Sequence, residues 1–233
     1  MKNTTNEGFT LIELMIVVAI LAILAAAAVP VLTSSRLAAQ ESSAISTLRR
    51  LHSAQAEFWS QKAVDDDRDG AGEFGYFSEL AGFTNLNSRI NGNGPAAPLE
   101  PPILGNRFGI VDGVGALSMS GYEFQIFLPN GLGTGVPEAA LGGPSGLEDA
   151  DNCETMWCAY AYPTVAGSSG NRAFFINQRG EILQTQMDVL TYDQSAGGPG
   201  WDAVFNLVGG NMGDPVGIGA LPATDGNRWV VVN

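Results

Sequence analysis

The sequence predicts an α+β protein in which one long N-terminal α-helix packs against a small antiparallel β-sheet. An apolar run opens the chain and continues to Val29, and a helical spacing of apolar residues extends beyond it. The rest of the chain is rich in Gly, Pro and Asn, with short β-like runs between turns. At 233 residues, the chain has room for one membrane-embedded helix and one soluble head with a single core.

The helix is predicted to extend from Phe9 to about Lys62. Its first half, 9–29, is apolar and long enough to span a bilayer. Its second half, 30–62, is predicted to be amphipathic. Pro30 predicts a kink or local melting over 26–30, because proline cannot donate a backbone hydrogen bond and crowds the preceding turn. The predicted apolar face comprises Leu37, Ala44, Ile45, Leu48, Leu51, Phe58 and Trp59, and the polar face comprises Gln40, Glu41, Ser46, Arg49, Arg50 and Gln55.

The head is predicted to occupy residues 63–233 and to contain an antiparallel sheet of at least three strands joined by long Gly-rich loops. Asn177–Gly180 predicts a tight hairpin turn, with glycine at a position that requires positive φ. The predicted strands are Tyr122–Leu128, Trp157–Tyr162, Arg172–Asn177 and Glu181–Gln186, with a weaker one at Arg228–Val232, and the predicted loops are Asn91–Pro102, Gly131–Gly146 and Ser195–Gly219.

The charge balance excludes one class of partner. The chain has 11 Lys and Arg against 24 Asp and Glu, a formal net charge of −13. Nucleic-acid binding needs clustered cations, so we expect no nucleic-acid partner. The sequence contains no nucleophile-elbow, zinc-protease or phosphate-loop motif, and its one histidine, His52, has no catalytic partner at a suggestive spacing. We therefore expect no enzymatic activity.

The most informative segment is Gly8–Leu14, which reads G-F-T-L-I-E-L. Glu13 is the only charge in the apolar run, and an acid in a membrane helix costs about 2.5–3.5 kcal/mol on insertion scales. Such a residue is normally kept for a specific partner. Cleavage after Gly8 would supply one, because the new ammonium of Phe9 would lie one helical turn from Glu13.

This segment resembles the processing site of type IV prepilins and type II secretion pseudopilins. The resemblance implies that a prepilin peptidase removes the leader 1–8, that the new N-terminus Phe9 is methylated, and that Glu13 guides assembly. It also implies the pilin fold and a single-pass inner-membrane precursor. An inner-membrane assembly platform would then build the subunits into a periplasmic or extracellular helical homopolymer, that is, a pilus.

Two other interpretations of residues 9–29 are a cleaved signal peptide, with small residues at Ala25–Ala28, and a plain membrane anchor. Neither accounts for an acid so close to a Gly-Phe junction. The predicted function is therefore a structural subunit of a type IV pilus-like filament, with a major pseudopilin or a minor tip adhesin as alternatives. The head also resembles general-secretion G-type pilin-like proteins over Asp65–Gly75, Tyr160–Pro163 and Phe174–Ile182, which favours the pseudopilin alternative.

A candidate calcium loop follows the predicted helix. Asp65, Asp67 and Asp69 precede Gly70 with the alternating spacing that lets carboxylates converge on one hard cation. The loop departs from the EF-hand, since Glu73 stands at the ninth position and Tyr76 at the twelfth. Calcium bound by the three aspartates and Glu73, and an acidic solvated turn without a metal, both remain open. The later acids Asp188, Asp193 and Asp202 show no ligand spacing.

Cys153 and Cys158 are the only cysteines. They lie in a region that would face an oxidising compartment, so the sequence predicts a disulfide that closes a small loop. Two separate thiols, one of them buried on a strand, are the alternative.

Overall fold

The structure, a computed structural model, describes residues 9–89, 91–206, 210–219 and 223–232. Its dominant element is the helix α1, Leu11–Ser60, which at 50 residues is about 75 Å long. Thr10 caps its N-terminus, and Gln61 follows its last turn. The helix is two residues shorter at each end than predicted. The predicted leader and Gly8 lie outside the described residues.

Pro30 lies inside α1 without interrupting it. The chain is helical throughout 26–30, so the local melting that we considered there is not seen. The hydroxyl groups of Thr33 and Ser34 donate to the carbonyls of Pro30 and Val31, at 2.9 Å each.

The buried face of α1 differs from the predicted one at three positions. Trp59 is 43% exposed, whereas Glu41 and Gln55, which we placed on the polar face, are buried. Gln55 is buried because its side-chain amide pairs with the backbone of Gly75: it accepts from the amide at 2.9 Å and donates to the carbonyl at 2.6 Å. Glu41 accepts from the amide of Asn171 at 3.0 Å. These polar residues satisfy backbone groups where the helix meets the head.

The described residues form one antiparallel sheet of seven strands, in the order β1-β2-β4-β5-β6-β7, with β3 beside the end of β2. The predicted strands are all present, with bounds that differ from the predicted ones by at most two residues. β3 lies inside the predicted loop 131–146, and β1 was not predicted at all, so the sequence interpretation was wrong on both. The strands are β1 (Ala116–Met119), β2 (Tyr122–Pro129), β3 (Gly135–Pro137), β4 (Cys158–Pro163), β5 (Ala173–Asn177), β6 (Leu183–Thr185) and β7 (Val230–Val231).

The described residues also form three short helical segments. They are α2 (Phe77–Leu80), a 3₁₀ turn (Asn106–Gly109) and α3 (Ala150–Cys153). The predicted turn between β5 and β6 is confirmed, because the amide of Gly180 donates to the carbonyl of Asn177 at 2.9 Å and Gly180 has a φ of +76°.

The sheet separates two apolar cores. One lies between the sheet and α1 and includes Leu48, Leu51 and Phe58. The other lies on the opposite face, where residues 195–206 cover the sheet with Val204 and Phe205. The covering loop explains why strands β4 and β5 are buried on both faces, although an antiparallel sheet often leaves one face to water.

The predicted disulfide is wrong, since both cysteines are free. Cys153 lies in the core on the α1 side of the sheet, and Cys158 lies in the core on the opposite side. Each thiol faces a backbone carbonyl instead, that of Pro129 at 3.5 Å and that of Trp201 at 3.9 Å. Burial raises the pKa of both thiols, so they remain protonated.

A buried guanidinium joins the loop after α1 to α2. Arg89 forms ion pairs with Glu73 and Glu79, and all three side chains are no more than 1% exposed. Arg89 also donates to the carbonyl of Phe74 at 2.5 Å, and Glu79 accepts from the amide of Tyr76 at 2.8 Å. The charge of Arg89 therefore compensates two carboxylates that would otherwise be unpaired in the protein interior.

Candidate assembly site

The N-terminal half of α1 has no contact with the head. Its most apolar stretch of 18 residues has a mean hydropathy of 2.9 and is entirely unburied. Within the described part of the chain, α1 is the one helix that is long and apolar enough to cross a membrane. Phe9, which precedes it, is 86% exposed. This surface needs an apolar environment, either lipid or other apolar helices.

Glu13 is held at the tip of this helix by a capping box. Its Oε2 accepts from the amide of Thr10 at 2.9 Å and from the hydroxyl of Thr10 at 2.6 Å. The amide of Glu13 in turn donates to the Thr10 hydroxyl oxygen at 3.3 Å. Threonine at this position and an acid three residues later are the sequence signal for a capping box, which was not predicted above. The other carboxylate oxygen, Oε1, accepts no hydrogen bond from any described residue.

The acidic loop after α1 brings its aspartates together, as the spacing predicted. Carboxylate oxygens of Asp65, Asp67 and Asp69 all lie within 4.8 Å of one another. Asp67 also belongs to a second group with Asp151 and Glu154, which the sequence interpretation missed. These two acids follow Asp67 by more than 80 residues, so no local sequence pattern relates them to the loop.

Two contacts hold α3 and its C-cap residue Glu154 against the end of α1 and the loop that follows it. The indole of Trp59 donates to the carbonyl of Glu154 at 3.0 Å, and the amide of Phe74 donates to the carbonyl of Cys153 at 2.9 Å. Within the loop, Asp67 and Asp69 accept from backbone amides two residues further on, at 3.1 and 2.7 Å. Lys62 donates to the carbonyl of Gly70. The loop is thus shaped by its own side chains.

Glu73 does not join the acidic loop. It is 1% exposed, pairs with Arg89, and accepts from the amide of Asp66 at 2.5 Å. Both carboxylate oxygens are therefore engaged inside the head, which corrects its assignment as a calcium ligand.

The crowded carboxylates alter one another's pKa. Desolvation, followed by the charges of Asp69, Asp67 and Asp151, raises the pKa of Glu154 to about 7. The Asp69 amide lowers the pKa of Asp67 by hydrogen bonding, but desolvation and three neighbouring aspartates together outweigh it and raise that pKa. A divalent cation would relieve this repulsion.

The remaining candidates do not converge. Asp193 accepts from the amides of Ser195 and Ala196 and so shapes its own turn. Neither it nor Asp188 nor Asp202 belongs to a group of acids close enough to share a metal ion among the described residues. His52 packs near Trp157, with ring centroids 6.2 Å apart, and its Nε2 lies 3.4 Å from the carbonyl of Gln178. These contacts are those of a packed helix residue.

Comparison with known proteins agrees with the geometry of the helix tip. The family model described as "Prokaryotic N-terminal methylation motif" matches residues 3–29. The chain is 47% identical over 77 residues to the type IV major pilin protein PilA of Myxococcus xanthus (strain DK1622) and 40% identical over 80 residues to the type IV major pilin protein PilE1 of Neisseria gonorrhoeae.

These alignments cover 33% and 34% of the chain, and 34% and 37% of the two relatives. The chain thus matches about a third of the length of each curated relative. No solved structure matches it. By its methylation motif and its exposed apolar helix, the chain is thus similar to type IV pilins over about a third of its length.

Proposed function

We propose that this protein is a structural subunit of a type IV pilus, inserted in the inner membrane as a precursor and then assembled into a helical filament. The observation that carries the proposal is the division of α1: 11–32 are exposed and apolar apart from Glu13, whereas one face of the helix from Glu41 to Phe58 is buried against the head. A helix of this kind holds a subunit in lipid first and in a filament core afterwards.

The geometry of Glu13 suggests how subunits take their axial register. Oε2 is held by the subunit's own Thr10, and Oε1 is available to an incoming donor. In the assembled filament, Oε1 would accept from the Phe9 ammonium of a neighbouring subunit. Other offsets would leave a charge unpaired in an apolar medium, which is strongly unfavourable. One carboxylate would then both cap its own helix and select its neighbour.

The two relatives named above are described as major pilins, and we propose the same role here. A major subunit must greatly outnumber its assembly machinery, so it should dominate the protein sheared from the cell surface. Trace amounts in that fraction would favour a tip adhesin. Retention in the periplasm with loss of protein secretion on deletion would favour a pseudopilus.

Processing is expected between Gly8 and Phe9, because a residue without Cβ allows a peptidase to approach the backbone closely. Mass spectrometry of the purified subunit should find an N-terminus at Phe9 that carries one added methyl group. Gly8→Val should leave the precursor uncleaved and still membrane-bound. A mature chain that begins after Ala28 would contradict the proposal and indicate a cleaved signal peptide instead.

We also propose that the acidic loop binds calcium as a structural ion. Asp65, Asp67 and Asp69 would supply the first ligands. Glu154, which is grouped with Asp67, would add one from outside the loop, because its Oε1 and the Oδ1 of Asp65 are buried without a hydrogen-bond partner among the described residues. An oxygen-rich set of this kind suits a hard cation. The ion would join the end of α1 to α3.

A soluble fragment that begins at Leu37 should melt several degrees higher in calcium than in chelator, since a ligand at a hundredfold excess over Kd stabilises the folded state by about 2.7 kcal/mol. The double change Asp67→Asn and Asp69→Asn should remove this difference, because asparagine keeps the turn-forming oxygens and loses the charges. Equal melting of the unmodified fragment with and without calcium would contradict the proposal.

The pH dependence of this effect follows from Glu154. Since its pKa is raised to about 7, protonated Glu154 stabilises the metal-free head below pH 4.5, and this contribution is lost as the pH rises through 7. Calcium requires the carboxylate form. The calcium-dependent increase in melting temperature should therefore be larger at about pH 8 than at about pH 6.

A further inference from the structure

The direction of the strands relative to α1 determines which end of the head faces the apolar half of the helix. At the start of β5, the amide of Asn171 donates to Glu41 of α1 at 3.0 Å, and Arg172 pairs with the same carboxylate at 3.3 Å. Beyond the end of β5, the carbonyl of Gln178 lies 3.4 Å from Nε2 of His52, about three turns further along α1. β5 therefore runs along α1 in the same direction, and it begins at the end of the head nearest the apolar half.

We call this end of the head the head base. It comprises the β1–β2 turn 119–122, the β4–β5 loop 164–172, the segment 186–190 after β6, and Arg228, which lies two residues before β7. These parts lie at one end because neighbouring strands are antiparallel. In the turn, Gly121 lies against the side chain of Gln40 of α1.

The head base lies at the depth of the lipid headgroups when the helix is in a bilayer. The exposed stretch 11–32 is about 33 Å long, which matches a hydrocarbon core of about 30 Å. A cavity of about 380 Å³ between α1 and the head is lined by Ser34 and Leu37 from the helix and by Arg172 from the base. Ser34 is only about 3 Å beyond residue 32 along the helix, and a headgroup layer is about 5–7 Å thick. The base therefore reaches the headgroups.

The head base exposes apolar side chains at that depth. Val165 in the β4–β5 loop is 54% exposed, and Val189 after β6 is 65% exposed. Hydrogen bonds fix the backbone at both positions: the amide of Val165 donates to the hydroxyl of Ser169 at 3.0 Å, and that of Val189 donates to the side-chain oxygen of Asn227 at 2.8 Å. Their exposure therefore belongs to the folded head, and a lipid interface would remove them from water.

The charged side chains at this level are mostly cationic. Arg36 of α1 and Arg228 are exposed and form no ion pair with a described residue. The side chain of Arg172 remains 43% exposed beside Glu41, which it neutralises. Asp188 is the one acid in the loops of the base. Because guanidinium groups bind phosphate oxygens well, this end of the head suits an anionic phospholipid surface.

We propose that the head base rests on the bilayer in which α1 is anchored, with Arg36 and Arg228 on the phosphates of anionic phospholipids and with Val165 and Val189 in the headgroup layer. The occupant is the bilayer because the base continues directly from the exposed apolar surface of α1, which itself requires lipid before assembly. The contact would hold the head in one orientation until extraction of the subunit breaks it. The inference rests on the proposed membrane-inserted precursor.

Fluorescence quenching in vesicles tests this contact with the full chain. A fluorophore on Val165→Cys or Val189→Cys reports the depth of its site, because the native cysteines are buried. In vesicles of equimolar phosphatidylcholine and phosphatidylglycerol, at high dilution of the protein, a lipid with a nitroxide headgroup should quench both probes. The matched control is Leu132→Cys, which is 83% exposed in the turn after β2, at the opposite end of the head. Its quenching should be severalfold weaker.

Removal of the arginine charges tests the phosphate contact. The double change Arg36→Gln and Arg228→Gln should lower the quenching at Val165→Cys severalfold, to the level found in vesicles of phosphatidylcholine alone. The control Arg179→Gln removes an exposed arginine from the turn between β5 and β6, at the far end of the head. It should leave the quenching unchanged.

Equal quenching at positions 165 and 132 would overturn the inference and leave the proposed function intact, and so would equal quenching at position 165 in the two kinds of vesicle. Protection of the probe from aqueous iodide only at high protein density would identify a neighbouring subunit as the occupant and would also overturn it. Failure of the unmodified chain to float with either kind of vesicle would instead contradict the proposed membrane-inserted subunit.

Discussion

Replacement of Glu13 by alanine is expected to prevent filament assembly while leaving a folded, membrane-inserted subunit. The change removes a costly carboxylate from the apolar helix, so insertion should not suffer. In a filament, however, a neighbour's Phe9 ammonium would lose its partner in an apolar medium. Several kcal/mol are at stake, and about 1.4 kcal/mol corresponds to a factor of ten, so the yield of sheared filaments should fall by far more than tenfold.

Two further variants separate charge pairing from helix capping. Glu13→Gln keeps an oxygen that can accept from the amide and hydroxyl of Thr10, but it has no charge. Thr10→Val keeps the charge and removes the hydroxyl that caps the helix. If pairing sets the register, Glu13→Gln should assemble as poorly as Glu13→Ala, whereas Thr10→Val should assemble far better. Normal yield from Glu13→Gln would show that the cap, and not the charge, is what assembly requires.

Replacement of Arg89 by methionine is expected to have the largest effect on the stability of the head. Methionine fills a similar volume but leaves Glu73 and Glu79 buried without a counter-charge. Removal of one partner from a buried ion pair typically costs about 3–5 kcal/mol, a large fraction of the stability of a small domain. Denaturant unfolding of the soluble fragment that begins at Leu37 should show this loss.

The matched control neutralises the acids as well. A triple variant with Arg89→Met, Glu73→Gln and Glu79→Gln leaves no buried charge in this cluster. The change Glu79→Gln also keeps a side-chain oxygen that can accept from the amide of Tyr76, as Glu79 does now at 2.8 Å. The triple variant should recover more than half of the stability lost by Arg89→Met alone. A triple variant as unstable as the single one would show that Arg89 acts through packing or the Phe74 carbonyl, and not through charge compensation.

The sequence by itself predicted the long helix and the processing motif at its N-terminus. Periodicity defined α1 to within two residues at each end, because apolar spacing and a membrane-length run are local properties of the chain. The signature at Gly8–Leu14 indicated the resemblance to type IV pilins before any contact was known. The hairpin turn Asn177–Gly180 could also be predicted from sequence, since it needs only a residue at position 180 that tolerates positive φ.

Sequence reasoning failed wherever a residue takes its role from distant neighbours. Gln55 and Glu41 look like solvent-facing helix residues, yet they are buried because they satisfy backbone groups of Gly75 and Asn171. Glu73 was assigned to the acidic loop by spacing, but Arg89, sixteen residues further on, draws it into the core. A local pattern cannot show which far-away charge will compensate a buried one.

Only the tertiary structure shows that the two cysteines are free and that Asp151 and Glu154 lie close to the acidic loop. Cys153 and Cys158 are close in sequence, but α3 ends on one side of the sheet while β4 directs Cys158 to the other. Asp151 and Glu154 reach Asp67 only because the loop after α1 packs against α3. A chain specifies local conformation through neighbouring residues, whereas the pairing of remote surfaces depends on how all the elements share one buried core.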